Sequence, residues 1–172
     1  MNKKTYIFLL SIILIPTFIG CMRYFESYFH EIPYRMAKYH NTGHITVVSD
    51  GKTLDLTGEE LHFINLPKEH LETVTLEDGS FAFETGEYGE NCFSLRLPNE
   101  TLGEVIIRFG VYNENWWHVN EYEVVVELTT MADGTVLAYM KTTRTEDSYD
   151  NVREEKKTLT KEDNIIYNRH GM

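Results

Sequence analysis

The sequence predicts an all-β domain, an antiparallel sandwich of two sheets. Three observations predict it. From His44 onward apolar and polar residues alternate with a period of two. Turn signals interrupt the alternation at short intervals, led by Asp50-Gly51, Asp78-Gly79 and Met131-Ala132-Asp133-Gly134. No segment of that region is rich in helix. Strands with one apolar face cannot bury it in a single layer, so two sheets must face each other across a core about 10 Å thick.

In chain order, residues 1–20 stand outside this domain. Asn2-Lys3-Lys4 leads into an apolar run from Tyr6 to Ile19, which meets Gly20-Cys21. A basic start, an apolar stretch of about a dozen residues and a small residue before the break are the marks of a secretory signal peptide. About 15 apolar residues also fall short of the roughly 20 that a spanning helix needs. Phe18-Ile19-Gly20-Cys21 resembles the lipobox of bacterial lipoproteins, with Phe18 where leucine is more usual. The resemblance implies that the Cys21 thiol is diacylglyceryl-modified and that Cys21 becomes the new N-terminus after cleavage. Two acyl chains anchor stably, at about 0.8 kcal/mol per buried CH2, without insertion of any protein segment. The expected location is the cell envelope, lipid-anchored on the extracytoplasmic side of a bacterial membrane.

Residues 21–43 form a lipidated stem. Tyr24, Phe25, Tyr28 and Phe29 recur at helical spacing until Pro33 interrupts, which predicts a short helix or irregular stem over Met22 to His30 and an extended stretch to Asn41-Thr42-Gly43. These aromatics either pack on the base of the domain or sit at the membrane interface, where a tyrosine finds both an apolar and a wet side.

The sandwich domain is expected over residues 44–145. Ile45 to Ser49 and Thr53 to Thr57 flank Asp50-Gly51, a hairpin signal because a two-residue turn of the favoured hand needs positive φ. Leu61 to Leu66 ends at Pro67. Glu72 to Leu76 and Phe81 to Glu84 flank Asp78-Gly79, a second hairpin signal. Cys92 to Leu97 ends at Pro98, Val105 to Tyr112 follows, and Trp117 to Leu128 with Thr135 to Thr143 makes a third hairpin. Alternation turns Leu54, Leu56, Phe81, Phe83, Phe93 and Leu95 inward, and likewise Val74, Leu76, Leu97, Val105, Ile107 and Phe109, then Tyr122, Val124, Val126 and Leu128. Residues 146–172 read as an acidic C-terminal extension in which Lys157 to Tyr167 adds a weak edge strand or stays a frayed tail.

Gly51-Lys52 with Leu54, then Leu76-Glu77-Asp78-Gly79-Ser80-Phe81-Ala82-Phe83 and Gly86-Glu87-Tyr88-Gly89, resemble the prealbumin-like modules of carboxypeptidase regulatory domains and of bacterial adhesin stalks. The resemblance covers about a third of the chain. It implies an Ig-like or prealbumin-like sandwich with a non-catalytic spacer or binding role.

Composition narrows the function. The formal charge of −11 becomes −13 once Lys3 and Lys4 are removed, and so acidic a surface repels phosphate backbones, which excludes nucleic acid. With Cys21 used as a thioether, Cys92 has no partner for a disulfide. It lies on the polar side of its strand without a neighbouring His or Lys to activate it, and reads as a small, partly buried residue. No nucleophile elbow, phosphate loop, dinucleotide fingerprint or zinc-protease motif occurs, so no enzyme and no cofactor are expected. The seven histidines are scattered without ligand spacing, and Asp147, Asp150, Glu154 and Glu155 lack the order of a calcium loop, so no metal is expected either. One segment stands apart. Tyr112, Asn113, Asn115, Trp116 and Trp117 combine aromatic faces with amides, a set suited to a sugar ring or a peptide. Successive strand residues face opposite ways, so one tryptophan enters the core and the other stays outside it; counting back from Val126 favours Trp116 as the buried one, counting forward from Val105 favours Trp117. The sequence thus describes a membrane-anchored, non-catalytic sandwich acting as a structural or protein-interaction module, with an envelope protein as partner, or alternatively a carbohydrate-binding surface lipoprotein using Tyr112 to Trp117.

Overall fold

The computed structural model describes residues 38–66, 70–86, 89–113, 117–146 and 149–168. Within them run β1 (Lys38–Ser49), β2 (Lys52–Thr53), β3 (Glu60–Asn65), β4 (His70–Thr75), β5 (Ser80–Thr85) and β6 (Gly89–Asn99), then β7 (Gly103–Asn113), β8 (Trp117–Thr130), β9 (Val136–Glu146), β10 (Tyr149–Leu159) and β11 (Ile165–Asn168). One sheet has the order β10-β9-β8-β1, with the far edge of β1 shared by β5 over Tyr39 to His44 and by β2 over Val48 and Ser49. The other has the order β11-β7-β6-β3-β4. The described residues form an all-β two-sheet sandwich.

The sheets are mixed rather than purely antiparallel. β1 and β8 pair in parallel from Lys38 beside Trp117 to Ser49 beside Leu128, and β11 lies parallel to β7. Tight turns join only antiparallel neighbours, whereas parallel strands need long connections, and no local residue pattern marks those. The Asp78-Gly79 hairpin is corrected for a related reason. β4 and β5 do not pair with each other: β4 pairs with β3 in one sheet and β5 with β1 in the other. The turn itself is present, with φ of 50° and 77° and two bonds between Glu77 and Ser80, but the strands diverge at once into different sheets. Gly79 O accepts from Ile45 N at 2.8 Å, which holds the corner against β1. Asp50-Gly51 does make a true hairpin, with φ of 48° and 77°.

The sandwich is longer at both ends than the alternation indicates. β1 begins at Lys38, so the last residues of the expected stem are strand. The acidic extension supplies two strands, β10 and β11, one in each sheet. β10 is an edge strand whose Arg153, Glu154, Glu155, Lys156 and Lys157 keep their charges in water, so it lacks the apolar face by which strands are recognised. It is sealed by Leu159, fully buried, and by Ile166 on β11.

Every residue that the alternation turns inward packs in or against the core, and Ile45, Val47, Leu61, Phe63 and Met140 join them from strands to which it assigned no face. Leu61, Phe63, Phe93, Leu95, Val105 and Ile107 from one sheet meet Ile45, Val47, Tyr122, Val124, Val126 and Met140 from the other. Leu54, Val74 and Phe83 pack against this core while only partly buried. Across its middle lies an aromatic layer, with Phe93 at 5.0 Å from Phe109, 5.2 Å from Phe81 and 5.3 Å from Phe63, ring centre to ring centre. Gly43 makes room for it: a Cβ there would stand 2.6 Å from the Tyr122 carbonyl and 2.8 Å from the Phe81 ring.

Candidate functional site

The interior differs at its two ends. At the distal end, where β1 finishes, the inward residues are aliphatic: Leu56, Leu76, Leu97, Leu128, Val136 and Leu159. At the proximal end, where β1 begins, the same inward pattern delivers Asn41, Asn65, Thr85, Asn91, Asn120 and Arg144, none more than 8% exposed. They bond across strands. Arg144 on β9 donates from Nε and Nη2 to Asn120 Oδ1 at 3.0 and 2.8 Å, and Asn120 Nδ2 donates to Asn41 Oδ1 at 2.9 Å. In the facing sheet Asn65 Nδ2 donates to Asn91 Oδ1 at 2.7 Å. Asn41 Nδ2 and, two inward rows deeper, Thr142 Oγ1 are buried without a hydrogen-bond partner among the described residues. Such groups cost about 1–3 kcal/mol each, a cost the distal end avoids altogether.

The aromatic and amide segment is attached to this proximal end. Tyr112 and Asn113 close β7 opposite Glu90 and Gly89, and Trp117 opens β8 beside Lys38. Asn115, Trp116 and Cys21, with the side chains of Tyr112, Asn113 and Trp117, lie outside the described residues, as does the stem from Met22 to Met36. The even-numbered inward set of β8 does extend back through Tyr122 to Asn120, two residues beyond the point to which the alternation was counted.

A second feature was not singled out from the sequence. On the outer face of the first sheet lies a groove of about 680 Å³, floored by the backbone of Gly43, Phe81 and Tyr122. Register sets its walls. Thr42, Glu121, Thr145 and Asp150 stand side by side across four strands, and in the next row come Ser80, His44, Glu123 and Thr143. His44 Nδ1 is 3.1 Å from Ser80 Oγ, and Thr145 Oγ1 donates to Asp150 Oδ1 at 2.7 Å. The only sequence sign was that the neighbours of the inward residues on β8 and β9 are polar; which strands lie beside them depends on the parallel pairing.

Elsewhere the side chains serve the fold. Cys92 is more buried than its polar-side position suggests, at 3% exposure, because the outer face of β6 is covered as well as the inner. Burial pushes its thiol up to about 11, and its Sγ lies 3.2 Å from the Phe93 carbonyl. Asp50 accepts from Thr130 N at 2.7 Å and Thr130 Oγ1 at 2.8 Å, which holds its carboxyl below the usual range and ties the first hairpin to the end of β8. Among the described residues, no three His, Cys, Asp or Glu side chains are grouped so as to hold a metal ion.

Fold and site together define a two-sheet β-sandwich with one aliphatic and one polar end. No protein-family model matches the chain, and no curated protein does. A solved structure described as a DUF3823 family protein from Parabacteroides merdae ATCC 43184 is similar at 14% identity and a TM-score of 0.37, over 72% of this chain and 82% of that one.

Proposed function

We propose that this protein is an extracytoplasmic lipoprotein, held to the membrane through Cys21, whose sandwich is a non-catalytic module that binds an envelope protein through its proximal end. The observation that carries the reading is the interior polarity. A sandwich needs no amides or guanidinium in its core to fold, and among the described residues those that are buried gather beneath the end to which the Tyr112 to Trp117 segment is attached. The anchor rests on the signal peptide and Gly20-Cys21. The test is labelling with radioactive palmitate followed by fractionation: wild type incorporates label and sediments with membranes, whereas Cys21→Ser does neither. Label in the cleaved mutant refutes the anchor. For the binding role, crosslinking in the envelope recovers the same protein partner from wild type and not from Trp116→Ala or Trp117→Ala.

A second reading, carbohydrate binding, is favoured by the same segment, since aromatic faces with nearby amides suit polyhydroxylated ligands. Binding to an oligosaccharide array that is lost in one tryptophan variant supports it.

A further inference from the structure

We infer that the groove on the outer face of the first sheet is a binding site for a neutral, polyhydroxylated ligand, a short stretch of glycan. The inference extends the carbohydrate reading to side chains outside the aromatic segment, and stands or falls apart from it. Its volume, about 680 Å³, lies within the usual range of ligand sites. Its row of Thr42, Glu121, Thr145 and Asp150 spans three strand spacings, about 14 Å, long enough for several sugar rings.

The chemistry of the walls selects the ligand. Hydroxyls alternate with carboxylates along the first row, and the second sets Glu123 between His44 and Thr143, so a sugar hydroxyl can donate to a carboxylate while accepting from a neighbouring threonine. Hydrogen bonds to a charged acceptor are about twice as strong as neutral ones. Two of the groups are already fixed, Asp150 by Thr145 and Ser80 by His44. Glu121 and Glu123 are exposed, and among the described residues neither has a hydrogen bond or ion pair that a ligand would have to break. Among the described residues no Lys or Arg lines the groove, which disfavours phosphates, uronic acids and other anions. A purely cationic partner would use the carboxylates and leave the four hydroxyls idle.

The test is calorimetric titration of the full chain, in a detergent without a sugar headgroup, with maltotetraose, cellotetraose and mannotetraose. At least one is expected to bind with Kd at or below about 1 mM. Glu121→Gln with Glu123→Gln weakens it about tenfold or more, and Thr145→Val, which changes no charge, about threefold or more. Glu100→Gln with Glu162→Gln, the same charge change at the distal end, leaves it within about twofold. Melting curves confirm that each variant is folded. Failure of all three sugars to bind wild type overturns the inference, as does equal weakening by the groove and distal pairs. Tighter binding of trilysine than of any sugar makes the groove a cationic docking face and overturns it too. Loss in Trp116→Ala with the groove variants unaffected assigns the sugar to the aromatic segment alone.

Discussion

At the scale of single residues, the proximal interior shows what a buried polar group costs with and without its partner. Asn120 joins Arg144 to Asn41, so Asn120→Ala removes the acceptor of two Arg144 bonds and the donor to Asn41 from a buried network and is expected to lose about 1–3 kcal/mol in denaturant unfolding. Thr142→Val removes an unpartnered hydroxyl and is expected to keep or raise stability, by up to about 1 kcal/mol. Asp50 titrates visibly: its folded pKa is lowered by Thr130, so the unfolded chain takes the proton more readily. Its contribution is complete above the ordinary carboxylate range and is lost as pH falls through it, and Asp50→Asn should flatten the acid limb of a stability profile. For Cys92 the sign is reversed. Its pKa is raised from 9.0 to about 11, so its share is present below 9.0 and disappears as pH rises through 11. At pH 8 it should react with Ellman's reagent only in denaturant. The sequence placed Cys92 on the polar side of its strand but could not show that this side is covered, because cover comes from residues distant in the chain.

At the scale of elements, alternation was a sound guide wherever one strand face meets the core and the other meets water. The apolar inward residues of β6, β7 and β8 were legible on that basis. β10 was not, because an edge strand with charges on most positions carries no apolar stripe. The difference is measurable. Leu159→Ala is expected to cost about 2–5 kcal/mol, as for a fully buried leucine, whereas an exposed tail would tolerate it within about 0.5 kcal/mol. The corner at Asp78-Gly79 was legible as a turn and illegible as a switch of sheets, since turn chemistry fixes the local path and not the partner of the next strand. Alanine at Gly79 would need positive φ and would press its Cβ onto the Ile45 carbonyl. Gly79→Ala should therefore cost about 1–3 kcal/mol, with Gly51→Ala, open to solvent, costing less.

At the scale of the whole molecule, the two ends of the sandwich are chemically distinct. The distal end closes on aliphatic side chains and tight Asp-Gly turns; the proximal end has a polar interior and carries the segment from Tyr112 to Trp117. The candidate segment was legible because two adjacent tryptophans cannot both satisfy one strand face. The groove was not, because its rows are assembled from β5, β1, β8, β9 and β10, which only tertiary pairing brings together. Removing the last two strands is expected to act globally: a chain ending at Asp147 uncovers the edges of β9 and β7 and should aggregate or melt without cooperativity, as read by scanning calorimetry.

The parallel pairing of β1 with β8 has a consequence in time. β1, the first of the described strands, lies inside its sheet, and the twelve residues of β8 that pair with it are complete only when Leu128 has been made. Until then β1 has only β2 and β5 to hold it, over one edge. Loop closure across so long a separation is slow, and folds dominated by such contacts form in milliseconds to seconds rather than microseconds. A growing chain of this kind cannot complete its first sheet until β8 has been made, and the export that the proposed lipid anchor entails would meet it in that incomplete state.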